Sequence, residues 1–333
     1  MPTPPWCRLD PLRLKIAASL VACWLAGFEL RAVDTPDKIT VPGLNLTMVK
    51  IHPGTFIMGN QKANGDSDES PAHPVTLTRE FWLGATTVTV GQFRQFIEAT
   101  GYVTEPEINH TGIFVKRDDA GPQKYTSWRN PATPNLQQTD DHPVVGISWK
   151  DTQQFCTWLT DRERAGGRLP AGHIYRLPTE AQWEYAAKAG TKEDLADPSE
   201  YAWYVGNSGG VPHPVGLRKP NPWGLYDMQG NVWAWVHDWY GQYPATPVVD
   251  PEGPTSPADP AIIRPLREMR GGTWNDPFGH GLNTPNRWGT WGIYASNWVS
   301  FRVAIGLPPS PIPPSQRAVY PPDGPVAAPA RKP

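Results

Sequence analysis

Short runs of alternating apolar and polar residues predict several brief β-strands along the chain. Residues 48–60 (MVKIHPGTFIMGN) alternate on both sides of a Pro-Gly pair, which is the pattern of a β-hairpin. Residues 73–89 hold two more strand-like runs, and residues 299–305 (VSFRVAI) hold the last one. Turn residues fill the stretches between these runs, so we expect much of the chain to be ordered loop.

Three segments combine a helical apolar period with the residues that cap an α-helix. The first follows Thr89, a predicted N-cap, and ends at Gly101. The second follows Ser148, and the third follows Thr179, where Gln182 completes a capping box. The apolar residues of each segment lie on one side, so each helix is expected to pack on a core through that side.

The order of these elements predicts one α+β domain with few helices, short strands and much ordered loop. No linker-like break divides residues 38–306, and no helical pattern recurs after residue 191. Residues 307–333 are rich in proline, and we expect them to form a disordered or extended tail.

Residues 1–32 are typical of a signal peptide. Basic residues precede an apolar run over residues 16–28, which is short for a membrane span, and Ala32 offers a cleavage position. An alternative is lipidation of Cys23, because residues 20–23 (LVAC) resemble a bacterial lipoprotein box. We therefore expect an exported protein, periplasmic or extracellular, with no membrane insertion after signal cleavage.

Charge and cysteine content narrow the chemistry. A formal net charge of -2 gives no electrostatic reason to expect nucleic acid as a partner. Once the signal is removed, Cys156 is the one cysteine left, so an internal disulfide is excluded. Cys156 lies on the apolar side of the second predicted helix, which indicates a buried structural thiol and not a nucleophile.

Several motifs occur in an order that resembles a known family. They are GTFIMGN, HPVVGISWKD, YRLPTEAQWEYAAKAG, NPWGLYDMQGNVWAWVHDWY, MRGGTW and SFRVAI, together with the run ESPAHPVTLTREFWLGATTVTVGQFRQFIEATGY. Over residues 45–306 the chain resembles the formylglycine-generating enzymes, also called sulfatase-modifying factors. The resemblance implies a variant of the C-type lectin fold.

The resemblance also exposes a departure at the catalytic centre. The family's best-known member oxidises a sulfatase cysteine to formylglycine, and it uses two cysteines that bind Cu(I). Asp276 and Gly281 align with those two cysteines, and no cysteine follows Cys156. Since Cu(I) prefers soft thiolate ligands, we expect neither copper binding nor the oxidase reaction.

A second departure concerns calcium. The resemblance implies one Ca²⁺ held by backbone carbonyls and a glutamate in the GNVWEW-type segment. The carbonyls of Asp227, Gly230 and Val232 remain available for a weak calcium site, but Ala234 stands at the glutamate position. Ca²⁺ favours anionic oxygen ligands, so we expect little calcium affinity. Residues 201–216, the family's other calcium loop, lack acidic side chains.

Other chemistries receive little support from the sequence. The eight histidines show no metal-ligand spacing, and no GxSxG motif or phosphate-binding glycine loop occurs. Glu180 and Glu184 lie four residues apart, which suggests capping and surface pairing. Arg270 and Arg302 are expected to be structural, through buried carboxylates or carbonyls.

The remaining candidate is the segment 274–298, which combines tryptophan with asparagine and arginine on what is predicted to be exposed loop. Rigid aromatic and amide side chains are typical of ligand-binding surfaces. We predict that this segment binds a peptide or a polar ligand such as a glycan. The alternatives are a formylglycine-generating oxidase acting on a sulfatase cysteine, or another enzyme with an unrecognised site. The candidate residues are Trp274, Asn275, Asp276, His280, Asn286, Arg287, Trp288, Trp291, Asn297 and Trp298.

Overall fold

The computed structural model describes most of the predicted α+β domain, residues 38–306. The described residues are 37–61, 66–108, 113–114, 126–191, 197–253, 266–277 and 281–309. The predicted signal peptide (residues 1–32) with Cys23, His280 and residues 310–333 of the predicted tail lie outside them. Among the described residues, no helix combines the length and the apolar character that a membrane span requires.

The described residues form twelve strands and five helices. The strands are β1 (Lys38–Val41), β2 (Leu46–Ile51), β3 (Gly54–Met58), β4 (His73–Leu77), β5 (Phe81–Gly84), β6 (Ile174–Arg176), β7 (Trp233–Trp239), β8 (Val248–Val249), β9 (Leu266–Arg270), β10 (Arg287–Trp291), β11 (Val299–Phe301) and β12 (Ala304–Gly306). The helices are α1 (Val90–Thr100), α2 (Glu105–Ile108), α3 (Trp149–Ala165), α4 (Glu180–Lys188) and α5 (Pro198–Tyr201), and a 3-10 turn spans Ser67–Glu69.

The strands form three sheets. Their orders are β1-β2-β5-β12-β6, β10-β9-β7-β11 and β3-β4-β8. The hairpin predicted over residues 48–60 is wrong, because β2 pairs with β1 and β5 while β3 pairs with β4. Both edges of β2 are occupied, so the chain turns at residues 52–53 and β3 packs against α4. The two strands predicted within residues 73–89 are confirmed as β4 and β5.

The three longer helices begin where the capping residues predict. Thr89, Ser148 and Thr179 each accept a hydrogen bond from the backbone N–H three residues ahead, and each completes a capping box. Helix α1 ends at Gly101, which adopts the left-handed conformation with φ of 66°. Short-range sequence chemistry therefore sets the ends of these helices. The short α5 is an exception to the prediction that no helix follows residue 191.

The core is dense in aromatic side chains. Phe93 of α1 packs against Trp128 and Phe155, with ring centroids 5.3 and 6.0 Å apart. Cys156 is buried beside them, and burial raises the pKa of its thiol above the ordinary value. The thiol is therefore structural, as predicted. Arg302, between β11 and β12, donates to the carbonyls of Gly84 and Tyr226, which confirms its structural role.

Candidate functional site

The first two turns of α4 carry two carboxylates into the interior. Arg270 Nη1 lies 3.0 Å from Glu180 Oε1, and Arg270 Nη2 lies 2.5 Å from Glu184 Oε2. Lys188 adds a contact of 2.7 Å to Glu184. The predicted surface pairing is wrong, because α4 packs on β7 and β9 and its i, i+4 carboxylates face those strands. Arg270 is structural, as predicted.

A second arginine extends this arrangement into β10. Arg287 Nε lies 2.9 Å from Glu180 Oε1, and Arg287 Nη2 lies 2.9 Å from Glu268 Oε2. We call Glu180, Glu184, Glu268, Arg270 and Arg287 the buried ion cluster. Its charges are paired across α4, β9 and β10, so removal of one partner would leave another buried and uncompensated. The cluster therefore holds β9 against α4 and β10, and the candidate site begins directly after β9.

The pKa of Asp238, next to this cluster, departs strongly from its ordinary value. Burial, with a smaller contribution from the nearby negative charge of Glu180, raises this pKa to about 8. The Asp238 Oδ2 atom also accepts a hydrogen bond of 2.8 Å from the backbone N–H of Glu180. Asp238 and Glu268 lie on strands and share no motif in the sequence, so sequence reasoning missed both.

After β9 the chain turns through two glycines at a close backbone approach. A Cβ atom on Gly272 would lie 2.2 Å from the carbonyl oxygen of Gly281, and Gly272 has a φ of 75°. Only glycine fits at position 272 without displacing the backbone at Gly281. The turn then continues to Asp276, whose Oδ2 accepts from Thr273 N and Oγ1 at 2.8 and 3.1 Å.

The structure brings Asp276 and Gly281 together. A Cβ atom on Gly281 would lie 2.4 Å from the Cβ atom of Asp276, closer than two real Cβ atoms approach. Asn286 Nδ2 donates to the Gly281 carbonyl at 2.9 Å and holds this side of the turn. The two positions that the sequence aligns with a catalytic pair are therefore neighbours in space.

The segment around residues 203–208 forms the other side of this region. Val205 N donates to the Asp276 carbonyl at 3.1 Å, and Ser208 Oγ donates to the Trp274 carbonyl at 2.8 Å. Val205 is 54% exposed, and Asn275 is also exposed. Both residues, with the exposed Pro277, contribute accessible surface beside Asp276, which is itself buried.

The expected exposure of the segment 274–298 is wrong for most of its residues. Residues 287–291 form β10, which pairs with β9, and alternation along a strand sends Trp288 and Trp291 to opposite faces. Trp288 packs toward Trp233 and Tyr294, at centroid distances of 6.1 and 6.4 Å. Of the candidates, Asn275 is exposed, Trp288 and Trp291 are half-buried, His280 is outside the described residues, and Trp274, Asp276, Asn286, Arg287, Asn297 and Trp298 are buried.

A model of the "Sulfatase-modifying factor enzyme 1-like domain" matches residues 36–307, which is most of the chain. The chain belongs to this family. Its similarity to the formylglycine-generating enzyme of Streptomyces coelicolor is 30% identity, over 73% of this chain and 83% of that protein.

The chain is also similar to a relative that is named as inactive and to solved structures. The "Inactive C-alpha-formylglycine-generating enzyme 2" of Bos taurus is 27% identical over 90% of this chain and 96% of its own length. The structure of PvdO from Pseudomonas aeruginosa superimposes with a TM-score of 0.62 at 25% identity, over 82% of this chain and 99% of that one. The chain therefore has the C-type-lectin-like fold of the sulfatase-modifying factors.

Copper does not fit the residues at the family's cysteine positions. Asp276 offers a hard carboxylate whose Oδ2 is already engaged by Thr273, and Gly281 offers no side chain. The free thiol within the described residues is Cys156, in the core. The thiolate pair that Cu(I) prefers is thus missing from these two positions.

The family's calcium position has also changed. Ala234 is buried in β7, opposite Arg270 on one side and Ser300 on the other. The Asp227 carboxylate accepts from Gly216 N at 2.8 Å, so it is oriented by the protein itself. Within the described residues, no three His, Cys, Asp or Glu side chains come close enough to hold a metal ion. The glutamate that the resemblance implies is therefore missing from this position, and weak binding through the carbonyls of Asp227, Gly230 and Val232 stays a prediction.

Proposed function

We propose that this protein is an exported sulfatase-modifying factor without copper-thiol oxidase activity, and that it binds a peptide or a polar ligand beside Asp276 and Gly281. The observation that carries the proposal is the contact between these two residues. A carboxylate bonded to Thr273 and a glycine without room for a side chain occupy the place of the thiol pair. This arrangement holds a turn in place but offers no electron carrier.

The burial of the candidate residues divides them into two groups. Asn275 and the partly exposed Trp288 and Trp291 are accessible to a ligand, whereas Trp274 and Asp276 support the backbone beneath. We propose that Asn275, together with the exposed Val205, makes the first contact with a ligand. An exposed amide beside an apolar side chain suits a peptide or a small polar molecule.

Asn297, in the same segment, is a buried candidate with one polar atom that lacks a partner. Asn297 is 1% exposed, and its Nδ2 donates to Thr133 Oγ1 at 2.9 Å, but its Oδ1 has no hydrogen-bond partner among the described residues. An unmet buried acceptor costs free energy unless water or a ligand supplies a donor.

The decisive test of the lost activity is direct. The mature protein, with and without added copper, is incubated with a cysteine-containing sulfatase-type peptide, and the peptide mass is followed. We expect no aldehyde product. Conversion of the cysteine to formylglycine would overturn the proposal, since it would require a redox centre other than the thiol pair.

The location of the ligand surface is tested by cross-linking. A photo-reactive amino acid replaces Asn275, and a matched variant carries it at Asp161, whose side chain is 71% exposed on α3. After exposure to the secretome of the producing cell, we expect adducts from position 275 and not from position 161. Equal labelling at both positions would contradict a specific surface at Asn275.

Export is tested on the full chain in its native cell. We expect the protein outside the cytoplasm, with a new N-terminus after Ala32. A lipid-modified N-terminus at Cys23 would select the lipoprotein alternative, and an intact Met1 on cytoplasmic protein would refute export.

A further inference from the structure

A wide groove lies where the first two strands, the start of α1 and two loops at residues 140–141 and 214–226 meet. Its volume is about 830 Å³, and it shares no lining residue with the surface beside Asp276. We propose that this groove, which we call the α1 groove, is a second binding site for an extended peptide that carries basic side chains. The proposal does not depend on the function proposed above.

The wall between α1 and the first loop is held by direct bonds. Gly91 N donates to the Asp140 carbonyl at 2.9 Å, and the Arg94 guanidinium contacts the Asp140 carboxylate at 2.5 Å. The two loops are joined in turn, because Val215 N donates to the Asp141 carbonyl at 2.9 Å. These bonds fix three of the segments that line the groove.

The remaining segments are joined in the same way. Tyr226 N donates to the Ala85 carbonyl at 2.8 Å, and Gln92 Nε2 donates to the Asn45 carbonyl at 3.4 Å. The walls are therefore tied to one another before any ligand arrives. A preformed site loses less conformational entropy on binding than one that must be ordered.

Several polar groups in the α1 groove are left unpaired. The side chains of Lys38, Glu98, Asp141 and Tyr226 make no hydrogen bond or ion pair with any other described residue. With Arg94 paired to Asp140, the unpaired charges are two carboxylates against one ammonium. The groove thus has a negative excess that favours a cationic ligand.

The mixture of side chains favours an extended peptide over a neutral sugar. Leu217 is 61% exposed on the rim and lies among the polar lining residues, as does Val215. An extended peptide alternates its side chains every residue, so it can place apolar and basic groups against such a lining. A neutral oligosaccharide would leave the charges of Glu98 and Asp141 without a counter-charge.

The test uses two octapeptides with blocked ends, one of alternating lysine and alanine and one of alternating glutamate and alanine. Binding to the purified mature protein is measured by fluorescence anisotropy. We expect the lysine peptide to bind and the glutamate peptide not to bind. Glu98→Gln combined with Asp141→Asn should weaken the lysine peptide roughly fivefold or more, the effect of losing two partly exposed ion pairs.

Two controls separate this site from general charge attraction. Glu80→Gln with Asp161→Asn removes the same charge outside the groove and should leave the Kd unchanged. Thr86→Trp fills the groove without altering charge, and it should abolish binding while the melting temperature stays within a few degrees of the wild-type value.

Three outcomes would overturn the proposal. They are equal weakening by the two charge-neutralising pairs, binding that survives Thr86→Trp in a folded protein, and binding of maltohexaose with no binding of the lysine peptide. The last outcome would assign the groove to sugars. None of these results depends on the chemistry at Asp276, so the two proposals fail separately.

Discussion

The Cβ position of Gly281 lies 2.4 Å from the Cβ atom of Asp276, which is too close for any residue but glycine at position 281 in this backbone. The two residues are therefore coupled. An aspartate that reaches back to Thr273 and a glycine that makes room for it form one local arrangement, where the resemblance to formylglycine-generating enzymes implies two thiols.

This coupling predicts a double-mutant cycle. Gly281→Ala should lower the free energy of unfolding by about 1–3 kcal/mol, the usual cost of overpacking a filled interior. Asp276→Gly alone also destabilises the protein, because the bonds to Thr273 are lost. In the Gly281→Ala chain it should cost less than in the wild type, because it also removes the Cβ atom that the new methyl group meets. The free energies are measured by urea unfolding. Additive effects of the two substitutions would show that the residues are not in contact.

The same geometry predicts that a thiol pair can be restored. Asp276→Cys combined with Gly281→Cys places two thiols at neighbouring positions, provided that the turn opens enough to separate the two Cβ atoms, which would otherwise lie 2.4 Å apart. We expect the double variant to bind Cu(I), which is a soft ion, while each single variant binds more weakly. Competition with a chromogenic Cu(I) chelator measures this. Equal affinity of the double and single variants would contradict it.

Local chemistry accounts for what the sequence predicted well. The capping boxes at Thr89, Ser148 and Thr179 satisfy backbone groups within four residues, so their signal is complete in a short window. The burial of Cys156 follows in the same way from the apolar side of one helix. The family motifs predicted the fold, and they aligned Asp276 and Gly281 with the cysteine pair.

Long-range pairing accounts for what the sequence missed. The segment around Trp288 and Trp291 contains Gly289 and Gly292 and has no clear period, yet pairing with Leu266–Arg270 makes it a strand. The destination of Glu180 was missed for a similar reason, because its partners are 90 and 107 residues away. Neither the pairing of β10 with β9 nor the ion pairs of Glu180 can be predicted from the residues next to them in the sequence.

The tryptophans should separate by burial in stability measurements. Trp183 is 1% exposed, so Trp183→Ala should cost about 3–5 kcal/mol. Trp288 is half-buried and packs toward Trp233, so Trp288→Ala should cost less than Trp183→Ala, but more than the negligible amount that an exposed loop would give. Thermal and urea unfolding measure the order. A larger loss for Trp288→Ala than for Trp183→Ala would contradict the packing.

Asp238 predicts a dependence of stability on pH. Its ordinary pKa is near 3.8, and burial raises the pKa in the folded state to about 8. The folded state therefore favours the protonated acid, and the stability that this gives at low pH is lost as the pH rises from about 4 through about 8. Asp238→Asn cannot ionise, and its amide oxygen can still accept from Glu180 N.

We therefore expect Asp238→Asn to match the wild type near pH 4 and to exceed it by at least about 1 kcal/mol at pH 8. Urea unfolding at several pH values gives the two curves. Asp161→Asn serves as the control, because Asp161 is 71% exposed and the substitution should leave the shape of the curve unchanged. Parallel curves for Asp238→Asn and wild type would show that Asp238 is ionised in the folded protein.

Calcium should have little effect on this protein, because Ala234 removes the anionic ligand that the family resemblance implies. Ligand that binds only the folded state raises stability by RT ln(1 + [L]/Kd), so a weak site gives a small shift at millimolar Ca²⁺.

Ala234→Glu should respond to Ca²⁺, in contrast to the wild-type protein. It introduces a carboxylate at a buried strand position, which destabilises the protein in chelator, and Ca²⁺ should restore part of that loss. Ala234→Gln is the matched control, since it has the same size without the charge and should not respond to Ca²⁺. Melting temperatures in Ca²⁺ and in chelator decide the matter. A shift of several degrees for the wild-type protein would show that the carbonyls of Asp227, Gly230 and Val232 hold the ion without a glutamate.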